Sequence, residues 1–205
     1  MSLYSVAKAL VGVFNRLVFR VSVIGKSRLP EGPVVLCPNH ISYMDPLFVA
    51  CAIDRRITAI AKASLFEKPF VGWFLRHLGI IPVNRDGGDF AAVRAALGAL
   101  KESKVLAIFP QGTRCPNVPI SDELVRGGAA MMALKGGAKV VPVSITTKNN
   151  RVRAFRKVTL NFGEPFAVSE LFDGEHDRDF VYLSRGIFSK VIALDEEARA
   201  RRKKA

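Results

Sequence analysis

The stretch "PVVLCPNHISYMDP", residues 33–46, joins an apolar run to a polar turn bounded by prolines. Its first half reads as a buried strand, short, β-branched and free of charge. Its end reads as a helix start: Pro46 suits the first helical turn and pushes Asp45 out of helical geometry, making Asp45 the expected N-cap. A strand running through a turn into a helix is the repeating unit of an α/β layered domain.

The rest of the chain repeats that alternation. Strands are expected at "RVSVI" (20–24), "PVVLC" (33–37), "ITAIA" (57–61), "GIIPV" (79–83), "KVLAIF" (104–109), "KVVPVSI" (139–145) and "KVTLNF" (157–162). Helical periodicity is clearest where Phe90, Val93, Leu97 and Leu100 form a stripe, and it recurs at 124–135 and 179–194. The expected fold is one α/β domain with a mixed, largely parallel sheet flanked by helices. Residues 66–78 crowd Phe66, Phe70, Trp73 and Phe74 among cations. That composition suits a core, a membrane contact or the wall of an acyl-chain groove.

The chain has 205 residues and a net charge of +13, with five cations (Arg199, Arg201, Arg202, Lys203, Lys204) closing its basic C-terminal tail, 199–205. The remainder is still strongly basic, so the whole molecule attracts anions: nucleic acid, lipid headgroups or phosphorylated substrates. No run of about 18 apolar residues spans a bilayer. Three cysteines without a CxxC pair argue against a disulfide framework or a zinc site, and for a reducing compartment. Residues 1–20 form an amphipathic helix, with Leu3, Val6, Leu10, Phe14 and Leu17 opposite a basic polar sector. It lacks the features of a cleaved signal peptide. Such a helix either packs on the core or lies in a membrane interface.

Chemistry gathers at three expected strand ends. His40 and Asp45 are five residues apart, which in one helix would separate them by about 140°. A turn between them can instead fold the imidazole back over the carboxylate. Two readings stay open here: a helix cap beside an incidental histidine, or a base with its orienting acid. "IFPQGTRCP" (108–116) ends a strand with a glycine turn, a hydroxyl and an arginine fork, and "GIIPVNRD" (79–86) ends another with Asn84 and Arg85. Competing motifs fail: "VIGKS" lacks the first glycine of a phosphate loop, and no G-x-S-x-G elbow or metal-spaced histidine pair exists.

Taken together, "NHISYMD" (39–45), "GIIPVNR" (79–85), "FPQGTR" (109–114) and "VPV" (141–143) resemble the four ordered motifs of the glycerophospholipid acyltransferases with an H-x4-D signature. The resemblance implies an enzyme bound to an anionic membrane surface at the cytoplasmic face, residues 1–20 being its membrane-interface helix and its acyltransferase domain covering 21–198. It would move an acyl chain from acyl carrier protein or coenzyme A to the sn-2 hydroxyl of lysophosphatidate, with no other cofactor, no metal and no nucleic acid. It makes His40 the general base and Asp45 its orienting partner. Lys62 and the Gly112 backbone are implied near the oxyanion, while Arg85, Gln111, Thr113 and Arg114 bind the acceptor. Phe66, Phe70, Trp73, Phe74, Val141, Pro142 and Val143 become acyl-chain or membrane contacts. Gln111 departs from the family's glutamate: an amide can accept a hydrogen bond but cannot act as a base. Its expected role is at the acceptor's glycerol hydroxyl. Alternatives are another lysolipid or glycerol-3-phosphate as acceptor, or a decayed membrane-binding relative.

Overall fold

A computed structural model describes residues 3–84 and 89–204. The strands are β1 (Val21–Ile24), β2 (Val34–Pro38), β3 (Ile57–Lys62), β4 (Ile81–Val83), β5 (Val105–Ala107), β6 (Lys139–Thr146) and β7 (Val158–Phe162). The helices are α1 (Leu3–Phe19), α2 (Asp45–Ala52), α3 (Pro69–His77), α4 (Phe90–Lys101), α5 (Gly128–Lys135) and α6 (Phe180–Lys204). All seven expected strands are present, their ends differing by a residue or two.

The sheet order is β1-β7-β6-β2-β5-β3-β4, parallel throughout except for the antiparallel β6–β7 pair. This is the mixed, largely parallel sheet the alternation predicts. β2 lies near the centre, and every one of its residues is buried. Its side chains alternate between two cores, as the pleat requires. Val34 and Leu36 pack with Phe48, Val49 and Ile145 on the α2 side, while Val35 and Cys37 pack with Leu100, Ala133 and Ile187 on the side of α4, α5 and α6.

That topology fixes where a ligand can bind. β2 and β5 are neighbours, yet the chain leaves β2 through α2 towards β3 and leaves β5 through α5 towards β6. Two adjacent strands whose connections diverge open a crevice at their carboxyl ends. His40 and the segment 109–114 follow those two ends.

Four local expectations are revised. Asp45 does not cap α2; Met44 holds the cap position, and the Asp45 carboxylate turns back into the preceding loop. α3 is a helix that the aromatic crowding concealed: Pro69 starts it, and Gly72 lets it approach Phe66, whose backbone oxygen would lie 2.2 Å from an added Cβ. α5 begins at Gly128 instead of 124, because Arg126 N–H is drawn to Pro110 O in a preceding turn. The basic run from Arg199 is the end of α6, held by the Asp195–Arg199 pair one turn apart and by Arg202 donating to Thr146 and Lys157 carbonyls.

α1 is helical, but its orientation is unusual. Part of its polar sector faces the protein: Asn15 is 2% exposed, and Lys8 Nζ donates to the Ile53 carbonyl just beyond α2 at 2.5 Å, while Arg16 stays exposed. Leu10, Phe14 and Leu17 face out, at 68%, 49% and 71% exposure, whereas Phe19 packs edge-on against Phe48 of the core. Among the described residues, no helix is long and apolar enough to cross a membrane.

Candidate active site

The site begins where β2 ends. Asn39 is fully buried, and its amide accepts from Ile145 N–H at 2.6 Å and donates to Ile145 O at 3.1 Å. This side chain replaces the ladder bonds that end as β2 leaves β6, so the next residue emerges in one direction only. His40 is then gripped on both sides of its backbone. Its N–H donates to Gln111 Oε1 at 2.9 Å, and its carbonyl accepts from Cys115 N–H at 2.8 Å.

The two residues five apart do meet. His40 Nδ1 lies 2.8 Å from Asp45 Oδ2, whose carboxyl group is fully buried. The same oxygen accepts from Ile41 N–H at 2.6 Å and Ser42 N–H at 2.7 Å. Because a carboxylate only accepts, Nδ1 carries the proton in this pair and Nε2 keeps its lone pair. The imidazole rests against the Phe109 ring, 4.2 Å between centroids, which fixes its tilt. The dyad is therefore built from the end of β2 and the start of α2, and braced by Phe109 and Gln111 from the neighbouring end of β5.

His40 lines a cavity of about 710 Å³ that runs between the sheet, α1, α2 and α3. That falls within the roughly 300–1,000 Å³ usual for small-molecule sites. Its polar lining includes His40, Lys62, Thr113, Arg114 and Arg126; apart from Lys8 and Cys51, its other walls are largely apolar, from Val11, Leu47, Ala50, Ile57, Phe74 and Leu78. A charged mouth on a greasy channel suits an amphiphile. Arg114 is held by Tyr43, with the guanidinium carbon 3.4 Å from the ring centroid. A cation stacked on an aromatic face keeps its fork pointed without consuming its donors.

Gly112 turns at φ +65°, and a Cβ there would come within 3.2 Å of the Arg126 side chain. Its N–H donates to Phe109 O at 3.0 Å, so the expectation that this amide faces an oxyanion is not met: the turn uses it. Lys62, at the exposed end of β3, stands at the cavity. Cys51 also lines the cavity, but burial pushes its thiol pKa up, as it does for Cys115 and more strongly for Cys37. Protonated thiols are poor nucleophiles, so an acyl-cysteine route has no support here.

The remaining expected residues divide clearly. Arg85 lies outside the described residues. Gln111 is 4% exposed and spends its oxygen on the His40 backbone, facing the loop instead of the cavity. Val141, Pro142 and Val143 are buried in β6 beside β2 and do not reach the cavity, because the centre of a sheet covered on both faces has no open side. Phe66 is buried against α3, Phe74 lines the cavity, and Phe70 and Trp73 project outward at 89% and 53% exposure.

Sequence reading missed Arg126, Asn39, Phe109 and Tyr43 as parts of the site. Tyr43 and Phe109 sit inside the quoted motifs, where aromatic neighbours of a catalytic pair were the available signal. Arg126 had none, since it reaches Gly112 only through the turn that precedes α5.

The chain is similar to known proteins in sequence and in fold. Residues 20–146 match the family model described as Acyltransferase. A Streptococcus pneumoniae protein named 1-acyl-sn-glycerol-3-phosphate acyltransferase is 29% identical over 170 residues, covering 80% of this chain and 61% of that protein. A Borreliella burgdorferi protein of the same name is 34% identical over 134 residues, covering 64% and 53%. The chain thus spans between half and two thirds of the length of these relatives. The crystal structure of the 1-acyl-sn-glycerophosphate (LPA) acyltransferase PlsC from Thermotoga maritima superposes with a TM-score of 0.74 at 26% identity, covering 96% of this chain and 81% of that one.

Proposed function

As the chain belongs to the Acyltransferase family, we propose that it transfers a fatty acyl group from a thioester of acyl carrier protein or coenzyme A to the sn-2 hydroxyl of lysophosphatidate. The observation that carries this reading is the His40–Asp45 contact of 2.8 Å at the polar end of a cavity with apolar walls.

His40 Nε2 takes the proton of the acceptor hydroxyl, and the oxygen attacks the thioester carbonyl. The tetrahedral oxyanion that forms is stabilised by Lys62. When it collapses, the C–S bond breaks and the imidazolium returns its proton to the departing thiolate, leaving an ester and a free thiol. Asp45 holds the imidazole in the tautomer this cycle needs and supports the imidazolium. Arg114, with Arg126, Thr113 and Arg85, takes the acceptor phosphate; planar forks match phosphate oxygens in pairs. The acyl chain lies along Val11, Leu47, Ala50 and Leu78. α1 sits in the membrane interface through its outward Leu10, Phe14 and Leu17, with Phe70 and Trp73 of α3 beside the channel, on the cytoplasmic side where thioester donors are made.

The test is an acylation assay with lysophosphatidate, glycerol-3-phosphate and a zwitterionic lysophospholipid as acceptors, each offered both thioester donors. Phosphatidate is the expected main product. Faster turnover of either other acceptor, or no transfer at all, would sink the assignment.

Gln111 supports activity over decay. What His40 requires there is an acceptor for its backbone N–H, and an amide oxygen supplies it as a carboxylate would. Gln111→Glu is therefore expected to keep kcat/KM within about threefold of wild type. Gln111→Leu leaves a buried donor unpaired, at a cost of about 1–3 kcal/mol. It should lower both thermal midpoint and turnover, and an unchanged Leu variant would refute the positioning role.

The channel also predicts chain-length behaviour. Ala50 is half-buried on α2 and lines the cavity. Ala50→Phe displaces about two methylenes of a long chain, worth near 0.8 kcal/mol each. Turnover with long-chain thioesters should fall about tenfold relative to medium-chain ones. A uniform loss across chain lengths would place the chain elsewhere.

A further inference from the structure

Between β6 and β7, residues 147–157 form a loop that none of the four motifs includes. It carries Arg151, Arg153, Arg156 and Lys157, all exposed, around Phe155, which is 72% exposed. Phe155 adopts φ +60°, a left-handed conformation that glycine or asparagine takes readily and a bulky side chain does not. An exposed aromatic kept where the backbone disfavours it points to a use for the ring.

The loop's attachment points to what that use is. Phe155 N–H donates to Val18 O, one of the carbonyls left open in the last turn of α1. The loop is thereby fixed to the end of α1 next to Leu17, in the outward apolar row with Leu10 and Phe14. Arg16 and Arg20 are exposed at the same end of α1. On the other side, Arg202 donates to Lys157 O, bringing the exposed cations of the end of α6 to the loop.

We infer that the 151–157 loop is a second membrane anchor, with Phe155 inserting beside the α1 apolar row and Arg151, Arg153 and Arg156 binding anionic lipid headgroups. This rests on the interfacial reading of α1 given above. Its partner is a bilayer and not an acidic protein, because the cations surround a continuous apolar row that a soluble charged partner would leave exposed. Aromatic rings settle at headgroup depth, and arginines beside them meet phosphates there. Two attachment points, one at each side of Val18, would also fix how the enzyme sits on the surface.

The experiment is co-sedimentation with vesicles of phosphatidylcholine alone and with added phosphatidylglycerol, alongside activity in detergent micelles. The variants are Phe155→Asn, which suits the left-handed backbone, the triple Arg151→Gln/Arg153→Gln/Arg156→Gln, and the triple Leu10→Ser/Phe14→Ser/Leu17→Ser. Phe155→Asn should weaken partitioning about tenfold. The arginine triple should weaken binding to anionic vesicles on the order of 100-fold, and neither should change micellar activity. If the α1 triple detaches while both loop variants bind like wild type, the loop proposal is overturned and the α1 reading stands. If all three variants bind like wild type, both fall together. If the arginine triple keeps its vesicle binding and instead raises KM for the carrier-protein thioester, the loop is a protein-docking site and the membrane proposal is overturned.

Discussion

His40→Ala lowers kcat for lysophosphatidate acylation by about 10²–10⁴-fold, the range a positioned general base contributes. The fold survives the change. The imidazole is largely buried but makes its bonds to one carboxylate oxygen and one ring face, and no core residue packs through it. Asp45 Oδ2 keeps two backbone donors after the ring is gone. The thermal midpoint should therefore move little, and KM for the acceptor should stay within about threefold, because phosphate and chain are held by other residues. Steady-state kinetics beside a thermal melt checks all three. A variant retaining a tenth of wild-type kcat would remove His40 from the base role.

Asp45→Asn is the second large effect, and it differs in kind. The carboxylate takes three N–H donors on one oxygen: the imidazole and the amides of Ile41 and Ser42. An amide of equal size can offer its neutral oxygen to the same three donors, more weakly, but then buries its NH2 where Asp45 Oδ1 has no hydrogen-bond partner. Loss of the charge removes support for the imidazolium, and kcat should fall about 10³-fold. Weakening the two backbone bonds loosens the loop that joins β2 to α2, at about 1–3 kcal/mol. For a chain of this size that is a fall in thermal midpoint of roughly 2–12 °C. The contrast is the diagnostic: activity lost without stability at His40, both lost at Asp45. An Asp45→Asn protein that melts like wild type and turns over within tenfold of it would mean that the contact is incidental.

The strands were legible because their signal is local. Short β-branched runs between glycine- and proline-rich turns describe β2, β6 and β7 whatever surrounds them. α3 and the end of α6 were not, for different reasons. α3 is amphipathic, but at nine residues it is too short for its period to stand out from the aromatic crowding around it. The last turns of α6 have too few apolar residues, and are held by ion pairs and by hydrogen bonds to carbonyls of Thr146 and Lys157.

The site divides along the same line. Chain order and residue type named His40, Asp45, Thr113 and Arg114, the family resemblance added Lys62, and the prolines at 38 and 46 announced the turn that lets the first two meet. Pairing across the sheet decided the rest. It put Gln111 under the His40 backbone, while the turns after β5 tied the Gly112 amide to Phe109 and brought Arg126 over that glycine. The His40–Gln111 contact joins residues far apart in sequence, and no local pattern encodes which of two strand ends will be neighbours.

α1 shows the division most simply. The sequence by itself determined an amphipathic helix with one basic and one greasy side, since that follows from the 3.6-residue period alone. Only the tertiary structure decided which side faces the protein. Lys8 is drawn inward by the Ile53 carbonyl beyond α2, and Asn15 is buried on the same side of the helix. Leu10, Phe14 and Leu17 are thereby left facing outward.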